Sequence, residues 1–273
     1  MKKHRTIGRL ILLAAALYIA AGLVSVLITR TYNIKSPKID RKVTFAVITD
    51  LHDCRYGKDQ KRLLRKIDTA EPDAILLVGD IFDEETDGAN TMALLTGLSG
   101  RYPMYFVTGN HEHYSRTFKT EKLALIEACG VTILSDGAAD FTVNGQTVTL
   151  LGINDPADGR NTDAHLKAVK PLMSDSGFNL LLAHRPEMFT KYANAGFDLV
   201  LSGHEHGGQW RLPGIVNGVY APFEGFFPDY AGGLYTKGGT RMIVSRGLAK
   251  NTWVPRFYNP KELVVVHLIP EGE

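Results

Sequence analysis

Five short apolar runs punctuate this chain, and each stops on a polar side chain. VTFAVIT (43–49) runs into Asp50, with His52 two residues on. AILLVG (74–79) runs into Asp80, and MYFVTG (104–109) into Asn110, His111 and Glu112. LLLA (180–183) stops on His184, and LVLSG (199–203) on His204, with His206 two residues on. Continuous apolar, β-branched stretches of this length read as buried strands. Between them lie stretches of helical spacing. The first covers 59–70, with Leu63, Leu64 and Ile67 on one face, and others cover 90–98 and 121–129, the last capped by Gly130. Strand–helix alternation implies parallel pairing with helices outside. In the second half, Asn144-Gly145 between apolar runs predicts a hairpin, because both turn positions tolerate positive φ. Helices over 163–173 and 186–195 and strands over 179–183, 199–202, 241–245 and 262–268 complete the pattern. The expected fold is α/β: a four-layer sandwich of two mixed β-sheets flanked by helices. Sheets of this kind bind ligands at the carboxyl ends of their strands, so one cleft should gather the residues that end these runs.

The N-terminus breaks the pattern. Between residues 7 and 29 only Arg9 is charged, and the rest is almost wholly aliphatic. About twenty such residues suffice for a membrane-crossing helix, and the run is longer than the core of a cleaved signal peptide. The expectation is a retained transmembrane helix within a segment 1–36 (cytoplasmic tip, anchor and linker), followed by a catalytic domain over 37–273. Lys2, Lys3, Arg5 and Arg9 precede the span and Arg30, Lys35, Lys38, Arg41 and Lys42 follow it, so the positive-inside comparison nearly ties. A short basic tip before a first span favours a catalytic domain outside the cytoplasm.

Composition adds little beyond exclusions. Thirty-one basic and 29 acidic side chains give a formal charge of +2, which makes no field for nucleic acid. Cys54 and Cys129 form either one disulfide or two free thiols. No feature assigns an oligomeric state.

The strand-end residues carry the chemistry. Asp50, His52, Asp80, Asn110, His184, His204 and His206 offer hard oxygens and borderline imidazoles but no thiolate, a mixture suited to Mn, Fe, Zn or Co. Seven ligands exceed one four-coordinate site and suffice for two adjacent divalent ions if a carboxylate bridges them. Asp80, between the two ligand groups in sequence, is the natural bridge. Two such ions would attract a phosphate and bring the pKa of a shared water to about 7, giving a hydroxide that attacks phosphorus. Gly79, Gly109 and Gly203 each precede a ligand, where the lack of a Cβ permits close approach. A lone Asp-x-His or Gly-Asp means nothing; Gly-Asn-His-Glu and Gly-His-Glu-His in order at strand ends seldom serve packing.

In this order, Asp50-Leu51-His52, Gly79-Asp80, Gly109-Asn110-His111-Glu112, His184 and Gly203-His204-Glu205-His206 resemble the five motifs of the calcineurin-like metallophosphoesterase superfamily. The likeness runs over about 43–268. It implies that Asp50, His52, Asp80 and His206 hold one metal and that Asp80, Asn110, His184 and His204 hold the other. It also implies that His111 is the catalytic residue facing the phosphoryl or leaving-group oxygen, and that Glu112 orients its neighbours. GHEHGGQ (203–209), HRPE (184–187) and SRGL (245–248) resemble the membrane-anchored bacterial branch. Some members of that branch are similar to enzymes that split the pyrophosphate of UDP-2,3-diacylglucosamine. The implied substrates are therefore phosphodiesters or pyrophosphates, lipid-linked or from the cell envelope. Two acids depart from the branch pattern: Asp53, and Glu205 where Thr or Gln is common. Either would shift metal preference or disfavour highly anionic substrates. Arg185, Arg211 and Arg246 are further candidates for touching phosphate. The aromatics Tyr220, Phe223, Phe226, Phe227, Tyr230 and Tyr235 either meet a membrane interface or pack as a loop on the domain. The competing reading is a non-catalytic metal-binding scaffold on the same fold. Its mark would be missing ligands, and none is missing.

Overall fold

A computed structural model describes residues 2–221, 224–250 and 255–273, with residues 2–5 by backbone alone. The chain opens with helix α1 (Lys2–Gly22) and strand β1 (Leu27–Ser36). The first α/β half follows: β2 (Val43–Ile48), α2 (Lys61–Ala70), β3 (Ala74–Val78), α3 (Ala89–Leu98), β4 (Met104–Val107), α4 (Asn110–Tyr114), α5 (Leu123–Ala128) and β5 (Val131–Ile133). The second half holds β6 (Gly137–Val143), β7 (Gln146–Gly152), α6 (Thr162–Val169), β8 (Phe178–Leu182), α7 (Phe189–Ala195) and β9 (Leu199–Ser202). Short strands β10 (Tyr220–Ala221) and β11 (Gly225–Phe226) precede β12 (Gly233–Lys237), β13 (Thr240–Val244) and β14 (Lys261–Pro270).

Two six-stranded sheets result, ordered β1-β14-β2-β3-β4-β5 and β12-β13-β9-β8-β7-β6. In the first, β2 through β5 run parallel while β14 pairs antiparallel with β2. In the second, β7, β8, β9 and β13 run parallel and the hairpins β6–β7 and β12–β13 close the edges. Asn144 and Gly145 have φ of 52° and 79°, as the predicted hairpin requires. Both sheets are therefore mixed. One apolar cluster lies between the sheets and contains Phe45, Val78, Val107, Leu150, Leu180, Leu201 and Val266. A second buries the outer face of the first sheet under α2, α3 and α5 through Leu63, Leu94 and Ile126. The third packs α6 and α7 on the other outer face through Leu166, Phe189 and Tyr192. The order is helix, sheet, sheet, helix: the expected four-layer sandwich. Since β2, β3, β4, β8 and β9 are covered on both faces, their sequences are almost wholly apolar, with Thr44, Asn179 and Ser202 the polar exceptions.

The N-terminal expectation is corrected. Among the described residues no helix is long and apolar enough to cross a membrane. Helix α1 takes in the polar tip and stops at Gly22, so its apolar part is residues 10–22, about 20 Å of helix at 1.5 Å per residue. Residues 27–36, expected as anchor and linker, are an edge strand in full parallel register with β14 from Leu27↔Lys261 to Ser36↔Pro270. The β-branched residues Ile28, Thr29 and Thr31 favour that strand over a helix. Helix α1 rests on the domain through Tyr18, whose ring meets Phe257 and Tyr258 at 6.2 and 4.9 Å, while Leu10, Leu12, Leu13, Leu17 and Ile19 stay exposed. The side chains of Lys2, Lys3 and Arg5, and all of Phe223, lie outside the described residues. Cys54 and Cys129 are free thiols.

Candidate metal centre

Each parallel strand stops abruptly, and the reversal that follows sets the site. Asp50, His52, Asp80, His204 and His206 have left-handed backbones, with φ of 48°, 46°, 51°, 70° and 47°. For residues other than glycine this costs on the order of 1 kcal/mol each. Backbone bonds between loops hold the conformation: Asp50 N–H donates to Gly79 O at 3.0 Å and His52 N–H to Asp80 O at 3.0 Å. Glycines allow the loops to touch. A Cβ on Gly109 would collide with Asp80, and one on Gly203 would strike Asp50 and Thr49.

Six of the seven expected ligands meet at one edge of the sandwich, and Asn110 is buried at the start of α4, directly after Gly109. Ligand atoms of Asp50, His52 and His206 lie within 4.8 Å of one another, as do those of Asp80, His184 and His204. Asp80 stands between the two groups. Its Oδ2 is 3.1 Å from His184 Nε2, 3.6 Å from His52 Nε2 and 3.9 Å from His111 Nε2. Its Oδ1 accepts the His111 N–H at 2.9 Å, and Asp50 Oδ1 likewise accepts the His204 N–H at 2.9 Å. Asp80 thus spends one oxygen on the loops and turns the other inward, whereas Asp50 Oδ1 does both, facing His184 and His206 Nε2 at 3.8 and 3.7 Å.

The imidazoles are oriented in the same way. His184 Nδ1 donates to Val78 O at 2.9 Å, and His52 Nδ1 is bonded to Asp83 Oδ2 at 3.1 Å, so both rings present Nε2 to the cluster. Arg185 Nη1 donates to His204 Nε2 at 3.0 Å, and Arg185 is itself gripped by Asp155 at 2.6 and 3.2 Å. Burial lowers His184, but Asp80 and Asp50 overcome it and raise the group to about 10. Burial and the neighbouring imidazoles and arginines push His204 and His206 well below the usual histidine range, which keeps them neutral as ligands must be. Burial works against the Asp80 carboxylate, yet His184, His52 and His111 together hold it well below the usual carboxylate range. Asp50 Oδ2, His52 Nε2, Asn110 Oδ1 and His206 Nδ1 are buried without a hydrogen-bond partner among the described residues. Unsatisfied oxygens and imidazole nitrogens converging on one space fit divalent cations.

Glu112 is the keystone of the loops. It is fully buried, and its two oxygens accept the N–H groups of Gly109, Asp80, Ile81 and Phe82 at 2.7, 2.9, 2.8 and 3.0 Å. Burial and the Asp80 charge push it up to about 7, against the pull of those donors. We expect Glu112→Ala, which orphans four buried donors, to lower stability by about 3–5 kcal/mol. Denaturant unfolding checks this, and a loss under about 1 kcal/mol would contradict the role.

Several partners escaped the sequence reading. Asp83 and Glu84, which bond His52 and His111, follow Asp80 by three and four residues. Asp155 lies three residues past the end of β7, behind Asn154, which is the residue that ends that apolar run. Arg185, expected as a phosphate contact, is committed to Asp155 and His204. Arg246 is tied to Glu262 at 2.9 Å and Arg211 to Asn217. Asp53, expected to influence the metals, instead accepts the Thr91 N–H at 2.7 Å in the first turn of α3. The aromatic segment divides: Tyr230 and Tyr235 pack at 5.1 Å on each other, Tyr230 also meeting Phe189, while Phe226 and Phe227 are exposed.

A family model of calcineurin-like phosphoesterases matches residues 43–208. The uncharacterised metallophosphoesterase YkuE of Bacillus subtilis is 29% identical over 215 residues, covering 77% of this chain and 73% of its own length. An uncharacterised metallophosphoesterase of Campylobacter jejuni, Cj0846, is 28% identical over 250 residues and 88% of this chain, which spans only 62% of that relative. The phosphodiesterase YaeI of Escherichia coli is 31% identical over 185 residues, covering 65% of this chain and 64% of its own length. Among solved structures, the NAD nucleotidase NadN of Haemophilus influenzae superposes with a TM-score of 0.51 at 15% identity, over 77% of this chain and 46% of that one, a likeness of fold.

Proposed function

This chain belongs to the calcineurin-like phosphoesterase family, and on that premise we propose a dinuclear hydrolase of phosphodiester or pyrophosphate bonds. The single observation that supports two ions is the position of Asp80, one inward oxygen between two ligand triads. Asp50, His52 and His206 would hold one ion, Asn110, His184 and His204 the other, and Asp80 both; Mn, Fe or Zn suits that donor set. When bound, the ions neutralise phosphoryl oxygens and supply an acidified water. The chain does the rest. Asp83 and Val78 O fix two imidazoles and Glu112 locks the loops, and His111, more exposed than Asp80, would donate a proton to the substrate.

We further propose that the substrate sits at a membrane surface outside the cytoplasm. The support is local: Phe257 touches both Tyr18 of α1 and Trp210, each at 6.2 Å, so the exposed apolar helix adjoins the loop that leaves His206. Trp210, Ile215, Phe226 and Phe227 are exposed beside it. The test uses the full chain loaded in turn with Mn, Fe and Zn. We expect turnover of bis-p-nitrophenyl phosphate, and faster turnover of a lipid pyrophosphate in vesicles than of its short-chain soluble analogue. No turnover with any metal would favour a non-catalytic scaffold, and equal rates on the last two substrates would remove the membrane from the proposal.

A further inference from the structure

Beside the centre, Glu187, Glu205 and Glu224 come together from three loops, with one carboxylate oxygen of each within 4.8 Å of the others. An acidic cluster alone means nothing, since exposed acids often gather. Here the middle member is different. Glu205 is fully buried, and among the described residues neither of its carboxylate oxygens has a hydrogen-bond partner. Glu187 offers a third orphan oxygen, Oε2, while its Oε1 lies 3.7 Å from Arg185 Nη1. A desolvated carboxylate without a donor costs several kcal/mol unless a cation reaches it or it takes up a proton. That one arginine contact, made at Glu187 and not at Glu205, leaves Glu205 uncompensated. Three ionised carboxylates carry −3 formally, most of which one divalent ion would cancel.

We propose that Glu187, Glu205 and Glu224 form a further cation site, distinct from the imidazole-rich pair and selective for a hard divalent ion such as Ca²⁺ or Mn²⁺. All-oxygen donors without imidazole or thiolate favour hard ions. Glu187 and Glu224 are half-buried, which leaves an entry path, whereas Glu205 forms the closed floor. Because Glu205 lies between His204 and His206 in the chain, an ion here would stiffen the loop that presents both imidazoles.

The test is calorimetric titration of the full chain, its imidazole-rich sites first saturated with Zn²⁺, using Ca²⁺ and separately Mn²⁺. Wild type should take up one further ion and melt at a higher temperature with it. Glu205→Gln should abolish that uptake. Glu187→Gln and Glu224→Gln, which leave the buried floor intact should Glu205→Gln fold poorly, should each weaken it at least about tenfold. No uptake of either ion by wild type, or equal uptake by all variants, overturns the proposal. So does an infrared band of a protonated carboxylic acid that persists in wild type at saturating Ca²⁺ and vanishes in Glu205→Gln, since the carboxyl would then be neutral. Ca²⁺ does not require imidazole, so the titration reads this site even if the dinuclear reading fails, and that failure would show separately as weak Zn²⁺ uptake.

Discussion

Asp80→Asn is expected to lose metal and turnover together. Asp80 is almost fully buried, with its Oδ2 facing His184 at 3.1 Å, His52 at 3.6 Å and His111 at 3.9 Å, and among the described residues no other carboxylate lies within that reach of all three. An amide in its place removes the charge that offsets two cations. It also points either an N–H₂ group or a weak neutral acceptor at imidazoles already oriented to face a carboxylate. The loop should survive, because the Asp80 N–H still donates to Glu112 at 2.9 Å and an amide oxygen can still accept from His111 N–H. The defect is therefore expected in occupancy rather than in folding. Metal analysis should fall from about two ions per chain to below one, and turnover of a diester by about a thousandfold or more. An Asp80→Asn variant that keeps both ions would refute the bridging role of this carboxylate, whatever its activity.

The parts of the site legible in the sequence are those where the backbone itself does the placing. A strand buried on both faces is largely apolar, so the turn just past its end shows as a change to polar residues, and Asp50, Asp80, Asn110, His184 and His204 could be picked out as candidates without a structure. Glu112 was legible as an orienting residue through its place in the motif, but not as the acceptor of four N–H groups, which needs the loops in space. Asp83, Glu84 and Asp155 were missed because each sits in a loop where an acid is unremarkable and only its distance to an imidazole or guanidinium gives it a role. Strand β1 was missed for a different reason. Residues 23–29 continue the apolar run of α1 without a break, and Arg30 and Lys35 alternate with solvent as an edge strand does, so the segment looked like the end of an anchor and a linker. Its partner, β14, lies more than 200 residues away in the chain, beyond the reach of local pattern. The edge strand β12 was missed although its partner β13 is next in the chain, because it lacks a buried face to mark it.

His111→Ala should cut turnover by about a hundredfold or more while metal content stays near that of wild type. The backbone of His111 serves the fold, since its N–H donates to Asp80 Oδ1, and alanine retains that bond. The side chain serves something else. Its Nδ1 is held by Glu84, its ring stands edge-on to His52 at 4.3 Å, and its Nε2 faces the cluster from 3.9 Å. Of the imidazoles in the cluster its side chain is the most exposed, at 27% against 10% for His52 and 13% for His206, so it is the one a substrate can reach without displacing a ligand. A group so placed can bond a phosphoryl oxygen or protonate the departing alkoxide, and the two roles separate by leaving group. A proton donor matters most when the leaving alkoxide is strongly basic, so the deficit should be larger for an alkyl diester than for the p-nitrophenyl diester. A deficit equal for both assigns the ring to phosphoryl oxygen alone. Wild-type turnover of both substrates in the alanine protein would take His111 out of the chemistry and leave the cluster's solvent-facing side without a proton donor among the imidazoles.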